Sequence, residues 1–269
     1  MNEHAVPRWL ALGPVALLAL VAGCATVQQA RGGPGQRLDP WENWNRKVFA
    51  FNEALDENVL KPVATAYNNV VPQPVRRGVE NFFGNANDAW STVNNFLQGK
   101  VQYGFEGVLR VGFNTIFGLL GIVDVATELG LERHSEDFGQ TLGRWGVGAG
   151  AYIVWPLFGP STVRDSVALP LDRAASPALI INDGGTQFGI TVTQIISTRA
   201  GLLGASRVLD DIALDKYTFL RDAYLQRRRS LVFDGDAPEV PETADARAAD
   251  AAPAPPVPPA PPASAASAP

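Results

Sequence analysis

The chain has little of what an enzyme or a disulfide-stapled secreted domain is built from. Only one of its 269 residues is cysteine, Cys24, so no internal disulfide can form. It has two histidines, His4 and His134. His134 alone cannot assemble a multi-histidine zinc site, although mixed ligation with carboxylates stays open. No Gly-x-Ser-x-Gly elbow occurs, since Gly159-Pro160-Ser161-Thr162-Val163 lacks the second glycine. A Ser/His/Asp triad gathered from distant positions stays open, because a triad is defined by geometry and not by sequence order. The glycines are not arranged for phosphate. Gly146-Val147-Gly148-Ala149-Gly150 is not G-x-G-x-x-G, and no Gly-Lys-Ser/Thr follows it. An excess of basic charge is missing as well. The chain has 22 basic and 27 acidic residues, and positions 24–233 carry 20 of each. A neutral body argues against nucleic-acid binding, which needs a concentrated basic surface.

Long membrane-spanning runs are also absent. The greasiest internal stretch, Val111 to Val123, is 13 residues long and lies between Arg110 and Asp124. As a helix it rises about 20 Å, against a hydrocarbon core of about 30 Å. Asn114 is polar within it, and Gly112, Gly118 and Gly121 loosen it. Such a run suits a core helix or a segment that enters one leaflet only.

Both ends of the chain read as lying outside the fold. Arg8 precedes an apolar stretch from Trp9 to Ala22, which has the length of a signal-peptide core. It ends in Val21-Ala22-Gly23-Cys24, which resembles a bacterial lipobox. Residues 1–23 are therefore expected to be removed, and Cys24 to carry covalent lipid, including palmitate-type chains. Residue 25 is alanine rather than aspartate, which by resemblance to lipoprotein sorting signals favours the outer membrane. Residues 24–38 read as a tether. Residues 234–269 are dominated by proline and alanine and are expected to be disordered with extended stretches.

The body, 39–233, fits one domain and reads as all-α. Trp41, Trp44, Val48, Phe51, Leu55 and Val59 step by three and four, forming one apolar stripe. Asp39-Pro40 is a start signal for that helix, and Pro62 is expected to end it. Two shorter helices are expected at 74–83 and 86–98, with Gly99 separating the second from the segment 101–126. Further stripes run through Phe188–Leu203 and Ala205–Tyr224, the latter ending at Arg227-Arg228-Arg229. Between them, 138–165 is rich in glycine and aromatics and reads as close-packed irregular backbone or as material for a membrane interface.

Taken in order, these residues resemble the MlaA (VacJ) family of outer-membrane phospholipid-transport lipoproteins. The resemblance is carried by Asp39-Pro40, Glu42, Asn45-Arg46, Phe51-Asn52, Val71-Pro72-Gln73-Pro74 with Arg76, and Asn95-Phe96-Leu97-Gln98-Gly99. It continues through Phe113–Gly118, Gly121, Asp124-Val125-Ala126, Phe138–Gly143, Gly146-Val147-Gly148, Pro156–Asp165 and Asp222–Arg228. It implies amphipathic helices in a ring- or disc-like domain embedded in the periplasmic leaflet of the outer membrane around a polar passage. It further implies that misplaced outer-leaflet phospholipid moves toward the periplasm, with a trimeric porin and a soluble periplasmic phospholipid-binding carrier as partners. No cofactor, metal or catalysis is implied.

On that reading Gly118 and Gly121 are candidates for a hinge or gate. Asn45, Arg46 and Asn52 are candidates for lining the passage or fixing the first helix. Arg110, Asn114 and Asp124 either line the passage or satisfy one another. Two alternatives remain: a lipid-anchored phospholipase, for which His134 should matter, and a structural lipoprotein acting through its proline-rich tail.

Overall fold

The computed structural model describes residues 38–175 and 183–238. The expected signal peptide, Cys24, the tether up to residue 37 and tail residues 239–269 lie outside the described residues.

Helix α1 spans Glu42–Leu55 and begins after Trp41, which makes no side-chain cap. Asp39, expected to cap it, is instead buried and accepts hydrogen bonds from Asn45 Nδ2 and Tyr217 Oη. Pro62 does not end this helix. A π turn, Asp56–Leu60, joins α1 to α2 (Lys61–Val70), and Lys61 N donates to Asp56 O five residues back. The wider turn accommodates Pro62 in the first turn of α2, where its missing N–H and ring are tolerated.

Helix α3 runs unbroken over Gln73–Leu97, in place of the two short helices expected. The presumed break fails because Asn85 does not turn on its own backbone. Its Nδ2 donates to Thr115 Oγ1 on the next helix at 3.1 Å. After the turn at Gly99 comes α4, Val101–Ile116, which packs along α3. The run Val111–Val123 is not one helix. Helix α4 stops at Ile116, and residues 117–124 form a turn leading to α5 (Val125–Glu128). Leu119 and Leu120 take φ of 53° and 59° there. Ile116, Phe117, Leu119, Leu120, Ile122 and Val123 are all exposed, so the turn is an apolar tip.

The glycine-aromatic middle is more ordered than expected. It holds α6 (Phe138–Arg144), an antiparallel pair β1 (Tyr152–Trp155) and β2 (Gly159–Thr162), and the start of α7 (Val163–Ala174). Tyr152 faces Thr162 and Trp155 faces Gly159 in the register. Helix α8, Gly184–Ile212, packs on α2 and α3. The break that follows lies at Ala213–Asp215 rather than near residue 204. Asp215 caps α9, Lys216–Val232, by accepting from Thr218 N. The fold is therefore mainly helical with one small hairpin, and no described helix is long and apolar enough to cross a membrane.

The packing is inverted. Along α1 the stripe residues Trp44 and Phe51 are exposed, while Asn45 is fully buried. Along α3, Val93, Phe96 and Leu97 face out, while Asp88, Ser91, Thr92, Asn94 and Asn95 face in. Two small apolar clusters remain inside: Val48, Tyr152, Val154 and Tyr217, and Ala64, Ala200 and Leu203. Polar side chains at these depths must find partners, and most do.

Candidate functional site

The helical period of α4 puts Arg110 and Asn114 one turn apart on the face turned toward the tip. Both are buried, 2% and 1% exposed. Asp124, at the far end of the tip, returns to them. Arg110 Nη2 lies 3.2 Å from both Asp124 oxygens. Asn114 Nδ2 donates to Asp124 Oδ1 at 3.0 Å, and Asn114 Oδ1 accepts from Ala126 N at 2.8 Å. Arg110 Nη1 donates to Leu131 O, and its Nε lies 3.5 Å from Asp88 on α3. Arg133 pairs with Asp88 from the other side at 3.0 Å. The structure thus brings Arg110, Asn114 and Asp124 into one network that closes the base of the tip. Burial pulls the Asp124 carboxyl upward, but hydrogen bonds from Thr127 and Asn114 and the Arg110 charge carry it down to about 2. Asp88 goes the other way, raised because burial outweighs its two guanidinium neighbours.

Gly118 and Gly121 sit in the tip itself. A Cβ on Gly118 would lie 2.1 Å from Val123 O and 2.5 Å from Asn114 O. Gly121 takes φ of 92°, and a Cβ there would lie 2.6 Å from that of Asn85. Both positions require glycine for close backbone approach.

Asn45, Arg46 and Asn52 form a separate group on α1. Asn45 Oδ1 accepts from Val154 N at 2.8 Å, and its Nδ2 donates to Tyr152 O at 3.1 Å and to Asp39. Asn52 does the same one step along, accepting from Leu157 N and donating to Trp155 O. Two asparagines seven residues apart, about two helical turns, therefore join α1 to β1 and the hairpin turn. Arg46 lies over the Tyr217 ring at 4.4 Å and pairs with Asp215 and Glu42. These three residues do not meet the Arg110 network.

Sequence reasoning missed a polar cleft of about 500 Å³ between α3, the 135–137 segment, α7 and α9. Its walls include Ser91, Glu136, Gln140, Asp172, Arg227 and Arg228. Asp172 accepts from Trp90 Nε1 and Phe138 N at 2.8 and 2.9 Å, and burial raises its pKa. Arg228 bridges Asp137 and Asp165, so the middle arginine of the basic trio is an internal clamp rather than a helix-end charge. The signal was available in α3 and its C-cap: Asp88, Ser91, Asn95 and Gln98 recur at helical spacing opposite the exposed apolar side chains. His134 stacks on Tyr103 with ring centroids 3.9 Å apart and meets Glu106 at 3.2 Å.

The chain is 37% identical over 231 residues to the intermembrane phospholipid transport system lipoprotein MlaA of Shigella flexneri, covering 84% of this chain and 88% of that one. The Escherichia coli K12 protein of the same name gives the same identity and coverage. The Haemophilus influenzae protein is 33% identical, with 83% and 91% covered. A solved structure concerning maintenance of bacterial outer membrane lipid asymmetry superposes with a TM-score of 0.64 at 36% identity, covering 72% of this chain and 98% of that one. The MlaA lipoprotein family profile matches residues 37–231, essentially the whole helical body, so the chain belongs to the MlaA lipoprotein family.

Proposed function

We propose that this chain transports phospholipid in the maintenance of outer-membrane lipid asymmetry. The observation that carries the reading is the inverted packing, in a chain of this family. Apolar side chains coat the outside of α1, α3, α4 and the tip, while α3 and its neighbours keep a polar interior. An apolar exterior suits residence among acyl chains, and a polar interior suits passage of a charged headgroup through them. The apolar tip and the absence of a spanning helix among the described residues fit insertion into one leaflet, with lipid on Cys24 as the anchor. That leaflet is the periplasmic one. Lipid moves from the outer leaflet through the polar interior to a soluble periplasmic carrier, and a trimeric porin holds the protein in place. The tip is the movable part, with Gly118 and Gly121 as its hinge.

The test is outer-leaflet phospholipid in cells lacking the protein, complemented by the wild type or by Cys24→Ala. Accumulation at the surface, reversed by the wild type and not by a well-expressed Cys24→Ala, is the expected result. Normal surface phospholipid in the deletion strain, with no redundant system present, overturns the reading.

A further inference from the structure

Away from the polar cleft, α3 and α8 diverge and leave an open groove of about 800 Å³. Val75, Val79 and Phe82 of α3 form one wall, Ile190 of α8 the other, and Ile122 of the tip closes one side. The two threonines in the lining do not make it polar. Thr193 Oγ1 donates to Gly189 O at 2.8 Å, and Thr186 Oγ1 to Asp183 at 2.6 Å. Both hydroxyl protons are therefore spent on their own helix.

One helical turn past Thr193 on α8, and next to Val75 on α3, the side chains differ in kind. There α8 closes on α2 through Ala200 and Leu203 against Ala64 and Tyr67. Three polar side-chain atoms are buried at this junction without a hydrogen bond: Tyr67 Oη, Arg76 Nε and Ser197 Oγ. Arg76 is tied to the seam because its Nη1 donates to Asn68 Oδ1, and Asn68 Nδ2 donates to Ala200 O at 3.2 Å. Its hydrogen-bonded partner is thus a neutral amide and not a carboxylate. Buried polar atoms left unpaired are costly, and a guanidinium with a free edge is well matched to phosphate oxygens.

An apolar trough with an unmatched cation and two unpaired hydroxyls about one turn beyond its lining has the polarity of an amphiphile with an anionic head. We propose that the groove holds a diacyl phospholipid, with its chains along α3 and α8 and its phosphate at Arg76. This rests on the transport reading and adds a loading position to it. Ile122 is part of the tip, so tip position and groove occupancy are linked through that side chain.

The test uses the full chain in cells, with benzoylphenylalanine placed at Phe82 in the groove or at Leu119 on the exposed tip. Adducts formed on irradiation are identified by mass spectrometry. A phospholipid adduct at Phe82 that falls about tenfold with Arg76→Gln, while the Leu119 adduct with bulk lipid is unchanged, supports the site. Equal adduct yields with and without Arg76→Gln overturn it. So does a cross-link from Phe82 to the chain's own residues 239–269 or to another protein. If the Phe82 replacement does not accumulate, Thr193, on the opposite wall, takes the probe. The deletion-strain measurement is scored separately. Normal surface phospholipid there removes the transport reading, while an Arg76-dependent adduct would still stand as lipid binding.

Discussion

Replacing Asn114 by alanine should loosen the tip without unfolding the body. One side chain makes both ties at this point: its Oδ1 accepts from Ala126 N at 2.8 Å, and its Nδ2 donates to Asp124 Oδ1 at 3.0 Å. Ala126 is fully buried, so water does not readily replace the lost acceptor. An unsatisfied buried N–H costs about 1–3 kcal/mol, and a lost hydrogen bond to a charged group about 1.5–3 kcal/mol. Arg110 and Thr127 still hold Asp124, which trims the second figure. A net local loss of about 3 kcal/mol follows, equivalent to roughly a hundredfold in the opening equilibrium. Hydrogen exchange resolves this directly. Protection in 117–128 should fall by that factor while α2 and α8 stay as in the wild type. Asn58→Ala, which removes a single exposed bond to Ala54 O, serves as the control and should change nothing. A change of less than threefold in 117–128 would refute the idea that Asn114 holds the tip.

Asn45→Ala should lower global stability by about 3 kcal/mol, because Val154 N and Tyr152 O lose their partner together; chemical denaturation in detergent measures it. Gly121→Val combines a left-handed backbone with a clash at Asn85, so a stably accumulated variant should show altered surface phospholipid, and unchanged asymmetry would discard the hinge role. Asp124 has a folded pKa of about 2, below its ordinary 3.8, so its stabilisation is present above pH 3.8 and is lost as pH falls toward 2. Its partial exposure limits the contribution to about 1 kcal/mol, and Asp124→Asn should flatten that acid limb in a stability-against-pH series. Paired Leu119→Asp and Leu120→Asp changes should reduce insertion into lipid monolayers, read as a lower insertion pressure, with helix content unchanged in circular dichroism.

Helix existence was legible from period, and family from motif order, but direction was not. A stripe such as Trp44, Phe51 and Val59 has the same spacing whether it faces a core or a bilayer. The tell-tale was the adjoining face, about 100° round the helix, where Asn45 and Asn52 sit at helical spacing and meet the hairpin backbone. The helix ends failed for local reasons. Pro62 is absorbed by a π turn, which leaves no mark in composition. The Gly84-Asn85 break is overridden by a tertiary bond to Thr115. The hairpin at 152–162 is too short for alternation to register, with strands of four residues each. In the candidate site, the Arg110–Asn114–Asp124 grouping was foreseeable from proximity in the chain. The cleft by Asp172 and Arg228 draws on residues from Asn87 to Leu231, 144 positions apart, and was not.

The inverted packing also bears on how such a chain is made and delivered. With 36 large apolar side chains exposed among the described residues, the finished fold is a poor solute. It cannot be released into an aqueous compartment and left to find its bilayer by diffusion. In water that coat drives self-association unless an amphiphile covers it. Its apparent stability in solution will then follow whatever amphiphile stands in for the bilayer, and two laboratories using different detergents will measure two different proteins.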